Sequence, residues 1–483
     1  MNVATHHAVV SAARAAPARR VALAALLLGA ALLGACASFS PDAGFSTVEA
    51  TARERLGKEL RWARSDADSD AIDKRVGELL AKPLTVDDAV QVALLNNRGL
   101  QATFQELGIT EAEVVQAGRL PNPGFSFGRN TRGHEIEIER GLHFNLARLI
   151  ALPLIGQMEV RRFEQTKAMV AMSVLSVAAD TRKAYFNALA AEETVRYMRQ
   201  VMQAAEAGAE LARRMEQAGN FNKLQRAREQ GFYADAALNL ARAEQAQRST
   251  RERLTRLLGV WGAQLRFALP ARLPDLPQQP IEQPDIERVA LAQRLDVQGA
   301  RLAAQQTAKN LGLTRATRFV NVLELGLLRN GSNEAPTQRG WEIGLELPLF
   351  DWGGARVARA EAVYMQSVHR AAEIAVNARS EVREAYSGYR SAYDIARHHR
   401  DEIVPLRRRI AEENLLRYNG MLIGVFELLA DARAQIASVN NTIESLRDFW
   451  IAQADLDMAL VGKPSLATPG GPAITGVPGG AAH

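Results

Sequence analysis

The chain has a single cysteine in 483 residues. That excludes disulfides within one chain and any CxxC metal site. Long apolar runs are missing too. Downstream of residue 40 none is long enough to span a bilayer as a helix. No HExxH, GxSxG, P-loop or dinucleotide fingerprint occurs. The eight histidines are scattered, and the His398-His399 pair shows no carboxylate at ligand spacing, so it reads as a helix face rather than a metal site. The methionines are dispersed and read as packing. These absences point away from an enzyme and from a metal or organic cofactor. Net charge is +5, but the cations are interleaved with acids throughout. Interleaving of this kind makes solvated helix faces, not a nucleic-acid surface.

A targeting signal is present. Arg14, Arg19 and Arg20 precede an apolar stretch, residues 21–33, of signal-peptide rather than transmembrane length. It ends Leu33-Gly34-Ala35-Cys36, which resembles the bacterial lipoprotein box. The resemblance implies that Cys36 takes a diacylglycerol and that residues 1–35 are then removed, leaving a covalent lipid as the only cofactor-like group. Ala37 follows where an aspartate would imply inner-membrane retention, so the implied destination is the outer membrane. Several acyl chains hold a protein firmly where one binds reversibly.

The rest is organised around residues 158–218, which hold one glycine (Gly208) and no proline. Val160, Phe163, Val170, Val174 and Val177 recur at helical spacing, among residues that lose little entropy in a helix. Roughly 60 helical residues reach about 90 Å. The alanines at 168, 171, 178, 179, 184 and 188 let neighbouring backbones approach. The stretch is a wall helix, not a core helix.

In chain order, a polar mixed-charge segment (36–83) leads to a helix over 86–119. Thr85 is its N-cap, Asp87 and Asp88 suit the dipole, and Leu120-Pro121-Asn122-Pro123-Gly124 stops it. The period then switches from 3.6 to 2. Over 134–146, Ile136, Ile138, Leu142, Phe144 and Leu146 point one way, while Glu135, Glu137, Glu139, His143 and Asn145 point the other. Arg140 interrupts the apolar set, as at a headgroup boundary. Phe125 and Phe127 mark a shorter partner strand, and residues 130–133 the turn. The long helix ends at Gly219-Asn220, and a second helix covers 222–258. A stiff proline-rich connector, 270–284, follows.

Then the pattern repeats. A helix over 285–318 echoes 86–119. Strands over 319–329 and 340–349 follow, with Trp341, Ile343, Leu345 and Leu347 alternating with Glu342, Gly344 and Glu346. Another long helix, 355–418, is interrupted only by Gly388 and Pro405. Arg182-Lys183-Ala184-Tyr185 matches Arg383-Glu384-Ala385-Tyr386, Gly219 matches Gly420, and Leu257-Leu258-Gly259 matches Leu460-Val461-Gly462. The fold expected is mainly α, a duplicated helix–strand–strand–long helix–helix unit. The repeats occupy 84–269 and 285–463, with a disordered tail at 464–483.

Four strands cannot close a membrane barrel, because every backbone group in lipid must be paired. Three chains would supply twelve. At this point the chain resembles the outer-membrane-factor family, the TolC-like trimeric ducts, across nearly all of the mature sequence. Leu347-Pro348-Leu349-Phe350-Asp351-Trp352-Gly353-Gly354 is similar to the family's strand-to-helix junction. Arg417-Tyr418-Asn419-Gly420, followed by residues 426–432 from Phe426 to Ala432, is similar to its periplasmic tip turn. The resemblance implies a homotrimeric twelve-stranded β-barrel in the outer membrane and a periplasmic α-helical tunnel. By the same resemblance residues 36–83 and 270–284, with the C-terminal segment, would form an equatorial belt. The implied function is the exit duct of a tripartite drug- or metal-efflux system, with a periplasmic adaptor and an inner-membrane efflux transporter as partners. The adaptor would dock at the turns holding Gly219, Asn220, Asn419 and Gly420. The implied gate is Arg417, Tyr418, Glu427 and Asp431, although Ala430 stands where the family has its second acid. Glu135, Glu137, Glu139, Glu342 and Glu346 would line the barrel lumen. A type I protein-secretion duct shares the fold. A pore-less lipid-anchored coiled-coil stalk is the alternative from another class, and the alternating strands argue against it. A Cys36→Ala variant is expected to lose palmitate labelling in cells, yet to keep its trimers, since a barrel anchors itself. Labelling that persists overturns the lipid assignment.

Overall fold

A computed structural model describes residues 38–319, 322–346 and 349–464. Cys36, the Leu347-Pro348 step and the tail from 465 onward lie outside the described residues. The chain divides into two compact units. The first takes in 38–43, 108–164 and 303–366; the second takes in 44–107, 165–302 and 367–464.

The first unit holds one antiparallel sheet of four strands in the order β1-β2-β3-β4: β1 Gly124–Arg132, β2 Glu135–Asn145, β3 Leu323–Ser332 and β4 Gln338–Leu345. The central pairing, β2 with β3, joins the two repeats. Several expected bounds move. β1 runs on to Arg132, because the turn needs only Gly133 and His134, with Gly133 at φ 64. Two-residue hairpins of this hand match the strand twist, so pairing continues to the turn. β3 and β4 start later and earlier than read, leaving 333–337 as their turn. Phe319 lies outside β3 and packs edge-on to Trp352 at 6.4 Å.

Leu146 is not the last strand residue but the first of the long helix, α5 (Leu146–Gln217), which follows α1 Phe45–Leu56, α2 Asp66–Leu80, α3 Val86–Asn96 and α4 Arg98–Ala117. Asn145 Oδ1 accepts the Arg148 N–H at 2.8 Å and starts it. Pro153 and Gly156, which reasoning from composition treats as breakers, are carried inside the helix. One proline removes one hydrogen bond, a loss that a helix of 72 residues and about 108 Å absorbs.

In the second unit the remaining helices are α6 Lys223–Leu258, α7 Ile286–Gln293, α10 Val404–Asn419 and α11 Val425–Val461; α8 Leu295–Ala316 and α9 Gly354–His398 span the division. The helix expected over 86–119 is two, broken at Asn97 (φ −66, ψ 114). Its echo breaks in the same way at Arg294 (φ −65, ψ 124). Gly388 does not interrupt α9; the only irregularity is a π-turn, His399–Ile403, ahead of Pro405. The Val404 N–H reaches back to the His399 carbonyl, a widening that accommodates a proline without an N–H.

Each break is fastened to the end of another helix. Asn96 Nδ2 donates to the carbonyls of Leu258 and of the capping Gly259, and Asn97 Nδ2 to that of Leu257, carbonyls at the C-terminal end of α6 that lack intrahelical donors. In the second repeat the buried Arg294 donates to the Ala459 carbonyl and to Asp296 and Glu381.

Extended segments are held by aromatic side chains. Tyr185 donates to the Leu84 carbonyl at 2.8 Å, Tyr393 to Gln278 at 2.7 Å and Trp450 Nε1 to Pro274 at 3.0 Å. Tyr389 accepts the Ile281 N–H at 2.9 Å. Burial, with Asp88 and Glu192 nearby, pushes the Tyr185 hydroxyl up to about 12, so it stays a donor. In the second repeat the tyrosine that likewise donates to a carbonyl is Tyr393, two turns beyond the Tyr386 that the sequence match indicates.

Gly259 tests the fastening. Its φ is +66, and a Cβ would lie 2.5 Å from the Asn96 carbonyl oxygen. Gly57 has φ +63 with nothing within 4 Å. Gly259→Ala is expected to cost about 2 kcal/mol or more, and Gly57→Ala about 1 kcal/mol. Urea midpoints followed by far-ultraviolet circular dichroism check this; equal midpoints would mean the close approach is unimportant.

Candidate functional site

The sheet has two chemically opposite faces. Register places Phe125, Phe127, Leu142, Leu327, Trp341 and Ile343 on one of them. In the single chain Phe125 and Trp341 are 68% and 69% exposed. The other face carries Glu135, Glu137, Glu139, Glu324 and Glu342. Glu346 lies one residue past β4 and donates its N–H to the Val322 carbonyl. Glu324 was not singled out from sequence, although its alternation with Leu323 and Leu325 carried the signal.

Arginines sort by the same parity. Arg132 pairs with Glu135 across β1 and β2, on the acidic face. Arg129 and Arg329 fall on the apolar face, and so cannot compensate the carboxylates directly.

One polar chain crosses the acidic face. Ser126 Oγ lies 2.9 Å from His143 Nε2, and His143 Nδ1 lies 3.4 Å from Glu342 Oε1. Gly141 and Gly326 make room for it: a Cβ at 141 would sit 2.5 Å from Ser126 Oγ, and one at 326 would sit 2.6 Å from Glu342 Cγ. The order resembles a nucleophile relay. β2 and β3 around it are each paired on both sides, so their ladder amides are committed. The cluster is an exposed polar network.

In the second unit, two hairpin ends carry the remaining predicted residues. The first reverses α5 into α6. The Asn220 N–H bonds to the Met215 carbonyl at 2.8 Å, with Gly219 at φ +78. Asn222 caps α6 in a box with Gln225, and Arg226 reaches back to Glu216 at 2.7 Å. Just upstream, Arg213 and Arg214 hold the Glu210 carboxyl down at about 2 through side-chain hydrogen bonds.

At the second reversal, α10 into α11, the matching bond runs from the Leu422 N–H to the Arg417 carbonyl at 2.8 Å. The left-handed residue before it is Met421, at φ 59, while Gly420 sits at φ −81. Gly420, which the sequence matches to Gly219, therefore does not supply the positive φ; Met421 does, one residue on. Asn419 ends α10; Leu416, Met421 and Leu422 are exposed around it.

Arg417 and Tyr418 close the last turn of α10, and exposed Glu427 stands in the first turn of α11, with Asp431 one turn on. Among the described residues no ion pair links these four. A different contact ties the helices nearby: Arg433 Nη2 reaches the buried Glu229 at 3.0 Å and lies over the Phe232 ring at 4.4 Å. Nothing in the local sequence marks Glu229 as buried.

The histidine pair needs a correction. His398 Nδ1 has a carboxylate four residues on, Glu402, at 3.2 Å. Burial and the adjacent His398 push the His399 imidazole pKa down. Among the described residues no group of three ligands assembles there.

No protein-family model matches the chain. It is similar to the cobalt-zinc-cadmium resistance protein CzcC of Cupriavidus metallidurans, at 27% identity over 281 residues, which take in 56% of this chain. The match spans 64% of that relative's length. Three solved structures share the fold. The Campylobacter jejuni CmeC outer membrane channel has a TM-score of 0.67 at 17% identity, covering 88% of this chain and 92% of its own. The open-state MtrE outer membrane channel of Neisseria gonorrhoeae has 0.66 at 18%, covering 78% and 89%. CusC, described as forming a transmembrane channel, has 0.65 at 18%, covering 78% and 92%.

The two hairpin ends give a test of the turn geometry. Gly219→Ala is expected to destabilise its turn by about 1 kcal/mol, because a side chain is forced to positive φ. Gly420→Ala is expected to be tolerated, and Met421→Gly to relax the second turn. Hydrogen exchange of the flanking amides reads all three; equal loss of protection at 219 and 420 would contradict the assignment.

Proposed function

We propose that this chain, whose fold is that of the outer-membrane-factor channels, is the exit duct of a tripartite efflux system. Three copies would form it, passing cargo from an inner-membrane transporter and a periplasmic adaptor to the exterior. The observation that carries the reading is the segregation of the sheet's faces, together with its two unpaired edges. Pairing β4 of one copy with β1 of the next closes twelve strands, leaving no edge in lipid. Strands of about ten residues span a bilayer when tilted. The apolar face then meets lipid, and the glutamates meet water.

In this reading Cys36 carries the lipid anchor, and the helices build the periplasmic tunnel. The turns at 218–223 and 419–424 meet the adaptor; exposed Leu416, Met421 and Leu422 offer it apolar surface beside the helix end. Arg417, Tyr418, Glu427 and Asp431 form the gate between copies, which accounts for the lack of an ion pair among them within one chain. No catalytic role is assigned. The relative named for cobalt, zinc and cadmium resistance, together with the carboxylate face, favours divalent metal cations as cargo. A pore-less stalk has no use for a two-faced sheet.

Threefold symmetry repeats the glutamates into rings, and carboxylate rings favour cations. Reversal potentials in a planar bilayer under a salt gradient test this. Cation preference is expected, falling when Glu137 and Glu342 become Gln. The effect should be weaker above about 0.1 M salt, where the Debye length is about 10 Å. Anion preference in the unmodified protein would mean that the strands face the other way.

A further inference from the structure

The apolar face of the sheet is not uniformly apolar. Cross-strand register sets Phe127, Arg140, Arg329 and Arg339 side by side, one from each strand in order. Three arginines stand directly opposite one another on adjacent strands, where like charges repel. Arg129 lies on the same face, one step nearer the turns. All five strand glutamates have the opposite parity, so this face carries no acid. Arg140, Arg329 and Arg339 are exposed, and no ion pair within the chain engages them among the described residues. The row therefore lacks a counter-charge from its own sheet.

Its level is also informative. On the side away from the turns the next row reads Phe125, Leu142, Leu327 and Trp341, and below that come only apolar residues. Arginine is costly at the bilayer midplane and nearly neutral at the interface, where aromatic girdles sit. A lateral row of three, bordered by Phe127 and Trp341, marks that interface. Guanidinium groups match phosphate oxygens bidentately, and their fork is partly pre-organised.

We propose that Arg140, Arg329 and Arg339 form a binding row for net-negative phosphate groups of membrane lipids, those with no cation in the same headgroup, at the edge of the apolar band nearest the strand turns. This rests on the barrel reading, because it needs the apolar face in lipid. The occupant is a phosphate-bearing lipid, since acyl chains would cover the apolar rows below while the headgroup meets the arginines. A soluble phosphate compound would leave those rows bare.

Native mass spectrometry of the full-length trimer, released from micelles doped with lipid A or with phosphatidylcholine, tests the proposal. Wild type is expected to retain lipid A over phosphatidylcholine by about tenfold, as charge-assisted phosphate contacts do. Arg140→Gln/Arg329→Gln/Arg339→Gln should lose that preference, and the triple Lys variant should keep part of it. Arg329→Gln alone, at the centre of the row, should weaken it and guards against misfolding of the triple. Single-channel conductance is recorded alongside. Intact conductance with unchanged lipid preference in the Gln variants overturns the arginine row alone. Absence of trimers and of conductance in wild type overturns the duct reading beneath it. Displacement of lipid A by millimolar inorganic phosphate would mean a soluble-phosphate site, and would overturn the lipid assignment.

Discussion

A four-stranded sheet with both faces exposed is not a stable object in water. Its outer strands present rows of unpaired N–H and C=O groups, and one face leaves aromatic rings such as Phe125 and Trp341 uncovered. Two demands follow at once: the edges need strands and the apolar face needs a non-aqueous neighbour. Closure with further copies in a bilayer meets both. The placement of the glutamates is then not a separate feature, because strand parity puts whatever is not apolar on the other side. In the proposed duct the sheet and the oligomer would be one constraint.

The helices obey a different rule, that their ends must find partners. A helix that stops leaves carbonyls without donors. Here Asn96 and Asn97 serve those of α6, and Arg294 serves one of α11. Proline-rich extended segments pose the same problem, and Tyr389, Tyr393 and Trp450 answer it. These contacts lie among tightly buried residues such as Leu254, Leu258 and Phe449. Packing and polar satisfaction coincide there, as they must when a backbone group leaves water.

Much of this was legible in the sequence. Period-2 alternation put Ile136 and Ile138 opposite Glu135 and Glu137, and a proline-free stretch announced α5. The Thr85 cap and the duplicated landmarks were readable, and the resemblance to the outer-membrane-factor family is borne out by the shared fold. What was not legible depended on distant partners. The break at Asn97 exists because the α6 carbonyls lie beside it, and no local signal separates it from a continuing helix. Alternation already puts Arg129 beside Phe127 and Arg329 beside Leu327 on one face, but which residues adjoin them across the sheet follows only from pairing. The early start of α5 was missed because Pro153 is a breaker on average and a tolerated cost in a helix this long. Among the described residues no ion pair joins Arg417, Tyr418, Glu427 and Asp431 within one chain, and the family resemblance alone implied that they form a gate.

The two repeats show what the duplication kept. At the helix breaks, φ and ψ are nearly equal at Asn97 and Arg294, yet an amide does the fastening in one and a guanidinium in the other. At the hairpin ends the same long backbone bond closes both turns, yet glycine occupies the left-handed position in one and methionine in the other. Methionine there carries a cost of about 1–2 kcal/mol that glycine would not. Matching residues by identity therefore pairs Gly219 with Gly420 and misplaces the turn, whereas matching hydrogen bonds pairs Gly219 with Met421. The backbone path is the repeated unit. Side chains are fitted to it separately in each half, so the two hairpins present different surfaces: Leu224 stands just beyond the capped turn of the first, and Met421 and Leu422 at the crest of the second.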